Sequence, residues 1–186
     1  MNNKTYLQDD AIATLLDRMC GDTRALLEAR QVTEPAMIGI HTGGAWLAER
    51  LHRRLAIAAP LGTLDISFYR DDFTRIGMNP EVKPSHIPFT VEDRHIILVD
   101  DVLHTGRTIR AAMNEIFDYG RPASIMLVAL VERSGRELPI QPDVAGVHMP
   151  LQPGQHITLS GPDPLALTIN QGTRKERGDP SEGGTP

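Results

Sequence analysis

With 186 residues, the chain predicts a single domain with a sizeable core, and its 40% hydrophobic and 23% charged residues are ordinary for a globular protein. The net charge of −5 argues against general affinity for nucleic acid, although it is compatible with a local basic patch. The longest apolar run, residues 125–131, is too short to cross a bilayer, and the first ten residues lack the apolar core of a signal peptide, so we expect a cytoplasmic protein. The one cysteine, Cys20, rules out an internal disulfide and fits a reducing compartment.

The first half of the chain alternates between helical and strand-like patterns. Apolar residues spaced by three and four, and short apolar runs, predict a helix over 9–30, a strand over 36–40, a helix over 45–55 and a strand over 61–68. Residues 71–88 are polar and contain three prolines. A connection of that length in a compact domain is usually functional or disordered.

The alternation continues with a strand over 95–99, a helix over 108–119 and a strand over 124–131. Short strand candidates follow at 145–149 and 155–159. Because strands and helices alternate with short connections, we expect an α/β fold with a mostly parallel sheet covered by helices on both faces.

The end of the chain differs from the rest in composition. Residues 170–186 contain no aliphatic or aromatic side chain, so we expect a disordered tail there and a single folded domain over residues 1–169.

The segment His95–Thr108, which reads HIILVDDVLHTGRT, is the most informative part of the chain. A buried-strand pattern ends in Asp100 and Asp101, and Thr105–Thr108 leads into a helix. The start of a helix offers unpaired N–H groups and the positive end of the helix dipole, which suit an anion. Carboxylates beside such a site suit a phosphorylated sugar, because they accept hydrogen bonds from its hydroxyl groups.

A second turn of the same kind, Thr42–Gly44, also follows a strand and precedes a helix. Ligands of open parallel sheets bind at the carboxyl ends of the strands, so both turns should open on the same edge. Two anion-binding turns on one edge predict a ligand with two separate phosphate groups. Two other phosphate motifs, GxxxxGK[ST] and GxGxxG, do not occur in the chain. By itself, an Asp after a buried strand is also typical of phosphate-accepting enzymes and signalling receivers.

The decapeptide Val99–Thr108 resembles the phosphoribosyl-pyrophosphate (PRPP) motif of the type I phosphoribosyltransferases. Three further segments, at 65–72, 119–124 and 136–140, are similar to the PyrR family of bifunctional pyrimidine-operon regulators and uracil phosphoribosyltransferases. The resemblance extends from about residue 9 to about residue 160.

This resemblance implies a type I phosphoribosyltransferase fold, with a central mostly parallel sheet flanked by helices, a small hood and a mobile active-site loop. The hood would lie mainly over residues 134–160, and the loop would be residues 71–88. The implied reaction transfers phosphoribosyl from PRPP to uracil and yields UMP and pyrophosphate. The cofactor would be Mg²⁺, held mainly by pyrophosphate and water rather than by direct protein ligands. A homo-oligomer, dimer or tetramer, is also implied.

The resemblance assigns roles to individual residues. Asp100 and Asp101 would be catalytic and hold the ribose hydroxyls. PRPP binding is assigned to Asp100, Asp101, Val102, Leu103, His104, Thr105, Gly106, Arg107 and Thr108, and pyrophosphate binding to Thr42, Gly43 and Gly44. Tyr69 and Arg70 would lie at the base of the mobile loop, Arg133 would reach the substrate, and the backbone near Ile157 would meet the base edge.

The residue before Thr105 bears on the choice of base. Transferases for 6-oxopurines usually carry an Asp at that position, and here it is His104, which argues against hypoxanthine or guanine. We interpret His104 as a side chain that shapes the pocket, with proton transfer as the alternative.

Two departures from the family pattern stand out. The pyrophosphate loop of the family commonly reads Thr-Arg-Gly, and the glycine at position 43 removes a bidentate phosphate donor. Regulatory members bind messenger RNA on a basic face, of which Arg18 and Arg136 are retained, while Asp17 would repel phosphate. We therefore expect weak RNA binding. The alternative function is a UMP-responsive RNA-binding transcription attenuator with residual catalysis.

Overall fold

The computed structural model describes residues 3–66, 84–152 and 154–171 of the chain. Eleven elements occur in these ranges: β1 (Asn3–Leu7), α1 (Asp9–Ala29), β2 (Ala36–Ile40), α2 (Gly43–Leu55), β3 (Gly62–Leu64), β4 (His95–Leu103), α3 (Arg107–Asp118), β5 (Ser124–Arg133), β6 (Val144–Met149), β7 (Gln155–Ser160) and β8 (Ala166–Gln171). None of the helices in the described ranges is long and apolar enough to cross a membrane.

Five strands form the main sheet in the order β3-β2-β4-β5-β6, and every neighbouring pair is parallel. Successive side chains of a strand point to opposite faces, so β4 sends Ile97 and Val99 to one side and Ile96 and Leu98 to the other. The first pair packs in a cluster with apolar residues of α1 and α2, and the second packs with the apolar stripe of α3. The predicted parallel sheet with helices on both faces is confirmed.

The central strand β4 is longer than the predicted strand over 95–99, because it continues through Asp100 to Leu103. Its partner β5 is also longer than predicted, and the ladder between them pairs Asp100 with Ala129 and Leu103 with Glu132. On the other side, β2 pairs with β4 only as far as Val99. Beyond that point one edge of β4 faces the start of α2 instead of a strand.

A second, three-stranded antiparallel sheet has the order β1-β8-β7. Its Leu7, Ile157, Leu159 and Leu167 pack on the same core cluster as α1 and α2. Of the range 134–160, over which the hood was expected, β7 lies in this small sheet.

β6, in the same range, belongs to the main sheet, which it extends by pairing with β5. Its Val144 and Met149 are buried in the core. The small sheet is completed by β1 and β8, neither of which was predicted, because β1 is largely polar and β8 has only a brief apolar alternation at Leu167 and Ile169.

Two further predictions can be compared only in part, because some of their residues lie outside the described ranges. Asn170 and Gln171, which were predicted to begin the tail, belong to β8. Asn170 pairs through its backbone with strands on both sides, and a polar side chain gives no sign of such pairing in the sequence. The rest of that tail lies outside the described residues. So do Tyr69, Arg70 and most of the loop predicted over 71–88, of which residues 84–88 are described and carry a bridge from His86 to Thr63.

Candidate functional site

Asp100 and Asp101, here called the acid pair, lie in the extended strand β4 at the carboxyl edge of the main sheet. Asp100 is 1% exposed, whereas Asp101 is half-buried. One carboxylate oxygen of Asp100 accepts a hydrogen bond from the Asp101 N–H at 3.0 Å, and Asp101 Oδ1 accepts one from the Val102 N–H at 3.0 Å. The local backbone therefore holds both carboxylates before any ligand arrives.

The start of α2 comes directly against this pair. A Cβ added at Gly43 would meet the Oδ2 of Asp101 and would lie 2.7 Å from its Cγ. A Cβ added at Gly44 would lie 2.6 Å from the carbonyl oxygen of Val99. Both distances are below any normal contact, so only glycine allows the turn at Thr42–Gly44 to approach β4 this closely. The structure thus brings together the two turns singled out in the sequence.

The same close approach affects what position 43 can hold in this chain. A side chain at position 43 would require the carboxylate of Asp101 to shift. The peptide bond between His41 and Thr42 is cis. The His41 N–H donates to the Leu64 carbonyl at 2.8 Å, and this bond extends the pairing of β2 with β3 by one residue.

Both helices that begin at this edge have open amino ends. Neither Thr42 before α2 nor Gly106 before α3 makes a side-chain cap hydrogen bond, and the first turn of each helix lacks an acidic residue. The positive dipole end of each helix is therefore available to an anion, although the Arg107 N–H at the start of α3 donates to Thr105 Oγ1 at 3.3 Å. The site combines two such ends with the two carboxylates of β4.

The loop before α3 is hydrogen-bonded to the segment that follows β5. Gly106 has a φ of 91°, a left-handed conformation that favours glycine. The carbonyl oxygen of Thr105 accepts hydrogen bonds from the N–H groups of Glu137 at 3.1 Å and Leu138 at 3.0 Å. Arg107 Nε and Nη2 donate to Glu137 Oε2 at 3.0 and 2.8 Å. Glu137 is thus a site residue that sequence reasoning missed, because its contacts span about thirty positions along the chain; the only signal was the quoted motif at 136–140.

Arg133 lies at the carboxyl end of β5, on the same edge as the acid pair. It lines a cavity of about 320 Å³ with Glu132, Arg136 and His148. Glu132 contacts Arg136 Nη2 and His148 Nδ1, each at 2.8 Å. Glu132 also escaped the sequence reasoning, since an acidic residue at a strand end carries no distinctive spacing.

The two arginines expected on an RNA-binding face both have partners within the chain. Arg18 Nη2 donates to the carbonyl oxygen of Gly146, and Arg136 pairs with Glu132. Asp17 pairs with Arg54 Nε at 2.8 Å, which partly neutralises the carboxylate that was expected to repel phosphate.

Other predicted site residues are placed as follows. Ile157 is half-buried in β7 and pairs with Ile169 of β8, while His104 packs beside Gly135, where a Cβ would lie 2.8 Å from the His104 Nε2. Among the residues that the structure describes, no group of three or more His, Cys, Asp or Glu side chains is arranged to hold a metal ion.

Comparisons with known proteins agree on the type of domain. The family model of the phosphoribosyl transferase domain matches residues 3–155. The chain is 67% identical over 138 residues to the Bifunctional protein PyrR of Nitrosococcus oceani, covering 73% of this chain and 78% of that protein. It is 57% identical over 155 residues to the Bifunctional protein PyrR of Pseudomonas aeruginosa, covering 83% and 91%.

Solved structures show the same fold at much lower identity. The hypoxanthine phosphoribosyltransferase of Trypanosoma cruzi superposes with a TM-score of 0.62 and 20% identity, covering 79% of this chain and 82% of that one. The hypoxanthine phosphoribosyltransferase of Staphylococcus aureus gives a TM-score of 0.61 and 18% identity, covering 79% and 77%. The predicted type I phosphoribosyltransferase fold is confirmed.

Proposed function

Because the chain belongs to the PyrR family of phosphoribosyltransferase-domain proteins, we propose that it is a uracil phosphoribosyltransferase that converts PRPP and uracil to UMP and pyrophosphate. The observation that carries this proposal is the backbone-held acid pair of β4 between two helix amino ends. Such an arrangement suits a sugar that bears phosphate on two sides.

Each part of the site has a task in this reaction. The carboxylates of Asp100 and Asp101 accept hydrogen bonds from the ribose hydroxyls and face the positive charge that develops at the anomeric carbon. The N–H groups from Thr105 to Thr108 bind the 5-phosphate. The amino end of α2 binds the pyrophosphate, whose negative charge grows as it leaves. Holding the base in line with the leaving group supplies positional catalysis.

We propose Mg²⁺ as the cofactor. The carboxylate oxygens of Asp100 and Asp101 are of the type that Mg²⁺ prefers and lie near where the ion would sit, but we expect pyrophosphate and water, rather than direct protein ligands, to hold it. Most of its ligands would come from the oxygens of the substrate and from water, because Mg²⁺ keeps several waters when it binds one or two carboxylates. When bound, the ion supplies Lewis-acid neutralisation of the leaving group.

The test of the substrate is an assay of PRPP with uracil, hypoxanthine, guanine and adenine in turn, with Mg²⁺ present. We expect pyrophosphate release with uracil and UMP as the product. Turnover of a purine without turnover of uracil would refute the choice of base. A His104→Asp variant extends the assay, since gain of purine turnover would identify position 104 as a selector of the base.

A second activity is suggested by the relatives, whose name describes them as bifunctional. We propose that any regulation of the pyrimidine operon by this chain rests on weak RNA binding, because Arg18 and Arg136 are each engaged by a group of the same chain. Every phosphate contact that is lost lowers the salt slope of binding by about 0.7–0.9. The check is a titration with pyrimidine leader RNA at ~150 mM salt, with and without UMP. Tight binding that UMP strengthens would make the attenuator the leading function.

We further propose that the protein is a homo-oligomer, dimer or tetramer, and that it acts in the cytoplasm. Light scattering on the purified protein decides the first point. A mass equal to one chain at micromolar concentration would refute it.

A further inference from the structure

Residues 105–108, here called the phosphate loop, contact residues Glu137–Ile140, here called the bracing segment. These contacts orient the peptide unit between Thr105 and Gly106. The carbonyl oxygen of Thr105 accepts two hydrogen bonds from this segment. The peptide bond between Thr105 and Gly106 is trans, so its N–H points in the direction opposite to its carbonyl. The Gly106 N–H therefore points away from the bracing segment.

Close packing reinforces this orientation. A Cβ added at Gly106 would lie 3.2 Å from the Cβ of Leu138 and 3.5 Å from that of Ile140. The backbone of the loop thus rests directly on the apolar side chains of the bracing segment. A shift of the segment would move the loop with it.

Glu137 contacts the loop twice. Its N–H donates to the Thr105 carbonyl. Its carboxylate accepts hydrogen bonds from Nε and Nη2 of Arg107, the first residue of α3. The side chains are 53% and 51% exposed, so the pair lies at the rim, where ion pairs add at most about 1 kcal/mol to stability. Its effect should therefore appear in the geometry of the loop rather than in the stability of the domain.

We propose that Glu137 is a positioning residue for phosphate binding: its carboxylate fixes Arg107 against the bracing segment and so holds the amides of residues 105–108 in their anion-binding arrangement. This inference rests on the proposed function, since it assumes that the loop binds the 5-phosphate of PRPP. The residue does not touch the substrate in this role. Its loss should weaken PRPP binding and leave the base and the chemical step unaffected.

The test compares three variants with the wild-type protein. Glu137→Gln removes the charge but keeps the size and the backbone donor, and Glu137→Asp keeps the charge on a shorter side chain. Asp118→Asn is the matched control, because it removes an exposed carboxylate at the far end of α3. For each protein we would measure the Kd of PRPP with Mg²⁺ by calorimetry, the KM of PRPP and of uracil, kcat and the thermal midpoint.

We expect Glu137→Gln to raise the Kd and KM for PRPP about fivefold, the factor that corresponds to ~1 kcal/mol, with kcat, the KM of uracil and the thermal midpoint unchanged. Glu137→Asp should recover part of the loss, and Asp118→Asn should behave as wild type. Unchanged PRPP affinity in Glu137→Gln, with an active wild type, overturns the inference alone. A parallel fall in the thermal midpoint and in all kinetic constants would also overturn it, in favour of a structural role. Wild-type protein that neither binds PRPP nor turns over uracil would refute the proposed function itself.

Discussion

Asp100 and Asp101 are neighbours in sequence but stand in different surroundings. Asp100 is buried beneath the edge of the sheet, whereas Asp101 is half-buried and lies against the start of α2. The two side chains point to opposite faces of an extended strand. They are therefore placed to address a ligand from two directions.

Replacing both carboxylates with amides should abolish turnover without unfolding the protein. Asn matches Asp in size, so packing survives, but an amide cannot reproduce the charged acceptors. Each single replacement should cost about 2–4 kcal/mol of transition-state stabilisation, or about 30- to 900-fold in rate. Rates of the single variants and of Asp100→Asn with Asp101→Asn check this, with circular dichroism as the control for folding. A double variant with near-native activity would exclude the acid pair from the mechanism.

Gly43→Ala should lower activity strongly with a much smaller effect on stability. The added Cβ meets the Asp101 carboxylate, so either the carboxylate or the turn must move. Gly21→Ala is the matched control, because position 21 has open space around it on α1, and alanine there should stabilise the helix by roughly 0.5–1 kcal/mol. Comparing kcat/KM and thermal midpoints for the two variants is the measurement. Equal activity in both would show that the turn tolerates displacement.

Among the elements, α2 joins the site to the small sheet. Its amino end lies at the acid pair, and farther along it Arg50 Nη1 donates to Asp9 Oδ1 at 2.8 Å and Arg50 Nη2 donates to the carbonyl oxygen of Pro162 at 3.1 Å. Asp9 Oδ1 also accepts the N–H of Leu165, in the turn between β7 and β8, at 2.9 Å. A single carboxylate thus ties the first turn of α1, the middle of α2 and the turn of the small sheet together.

This junction should depend on pH. The hydrogen bond from the Leu165 N–H, and then the bond from Arg50, hold the pKa of Asp9 below its ordinary value of 3.8. A carboxylate with a lowered folded-state pKa adds stability above its unfolded pKa, and this contribution is lost as the pH falls through the folded value. The stability difference between wild type and Asp9→Asn should therefore be largest near neutral pH and shrink below pH 3.8. Denaturant titrations across this range measure it.

Asp10→Asn provides the control for the pH experiment, since Asp10 shares the first turn of α1 but not the two bonds of Asp9. Its stability difference from wild type should not follow the Asp9 profile. A constant difference for Asp9→Asn from neutral to acidic pH would mean that solvent screens the junction completely.

The elements that sequence patterns predicted are those with an apolar period of their own. The apolar stripe of α1 and the buried runs of β2, β4 and β5 can be recognised from the local sequence alone. Burial on one or both faces determines which of their residues are apolar. β1 lacks such a period and that of β8 is brief, so both strands depend on their pairing with each other and with β7. The same division applies to the site: the motif at 99–108 is local, whereas the contacts of Glu137 and Glu132 join segments whose proximity only the sheet order creates.

At the scale of the whole molecule, the boundary of the folded domain is a testable quantity. Residues 172–186 contain no aliphatic or aromatic side chain, so they offer no apolar surface to offset their ordering entropy. A chain ending at Gln171 should keep full activity and solubility. A chain ending at Leu165 loses β8, the central strand of the small sheet, and should be destabilised. Activity and thermal midpoints of the two truncations decide the matter, and loss of turnover in the first would give the tail a function.

The contact between residue 43 and Asp101 also constrains how this sequence can change. Because the two positions share one small space, a substitution at one alters the effect of a substitution at the other, which is the condition for a non-additive pair. A side chain at position 43 therefore fits only together with a shift of the Asp101 carboxylate.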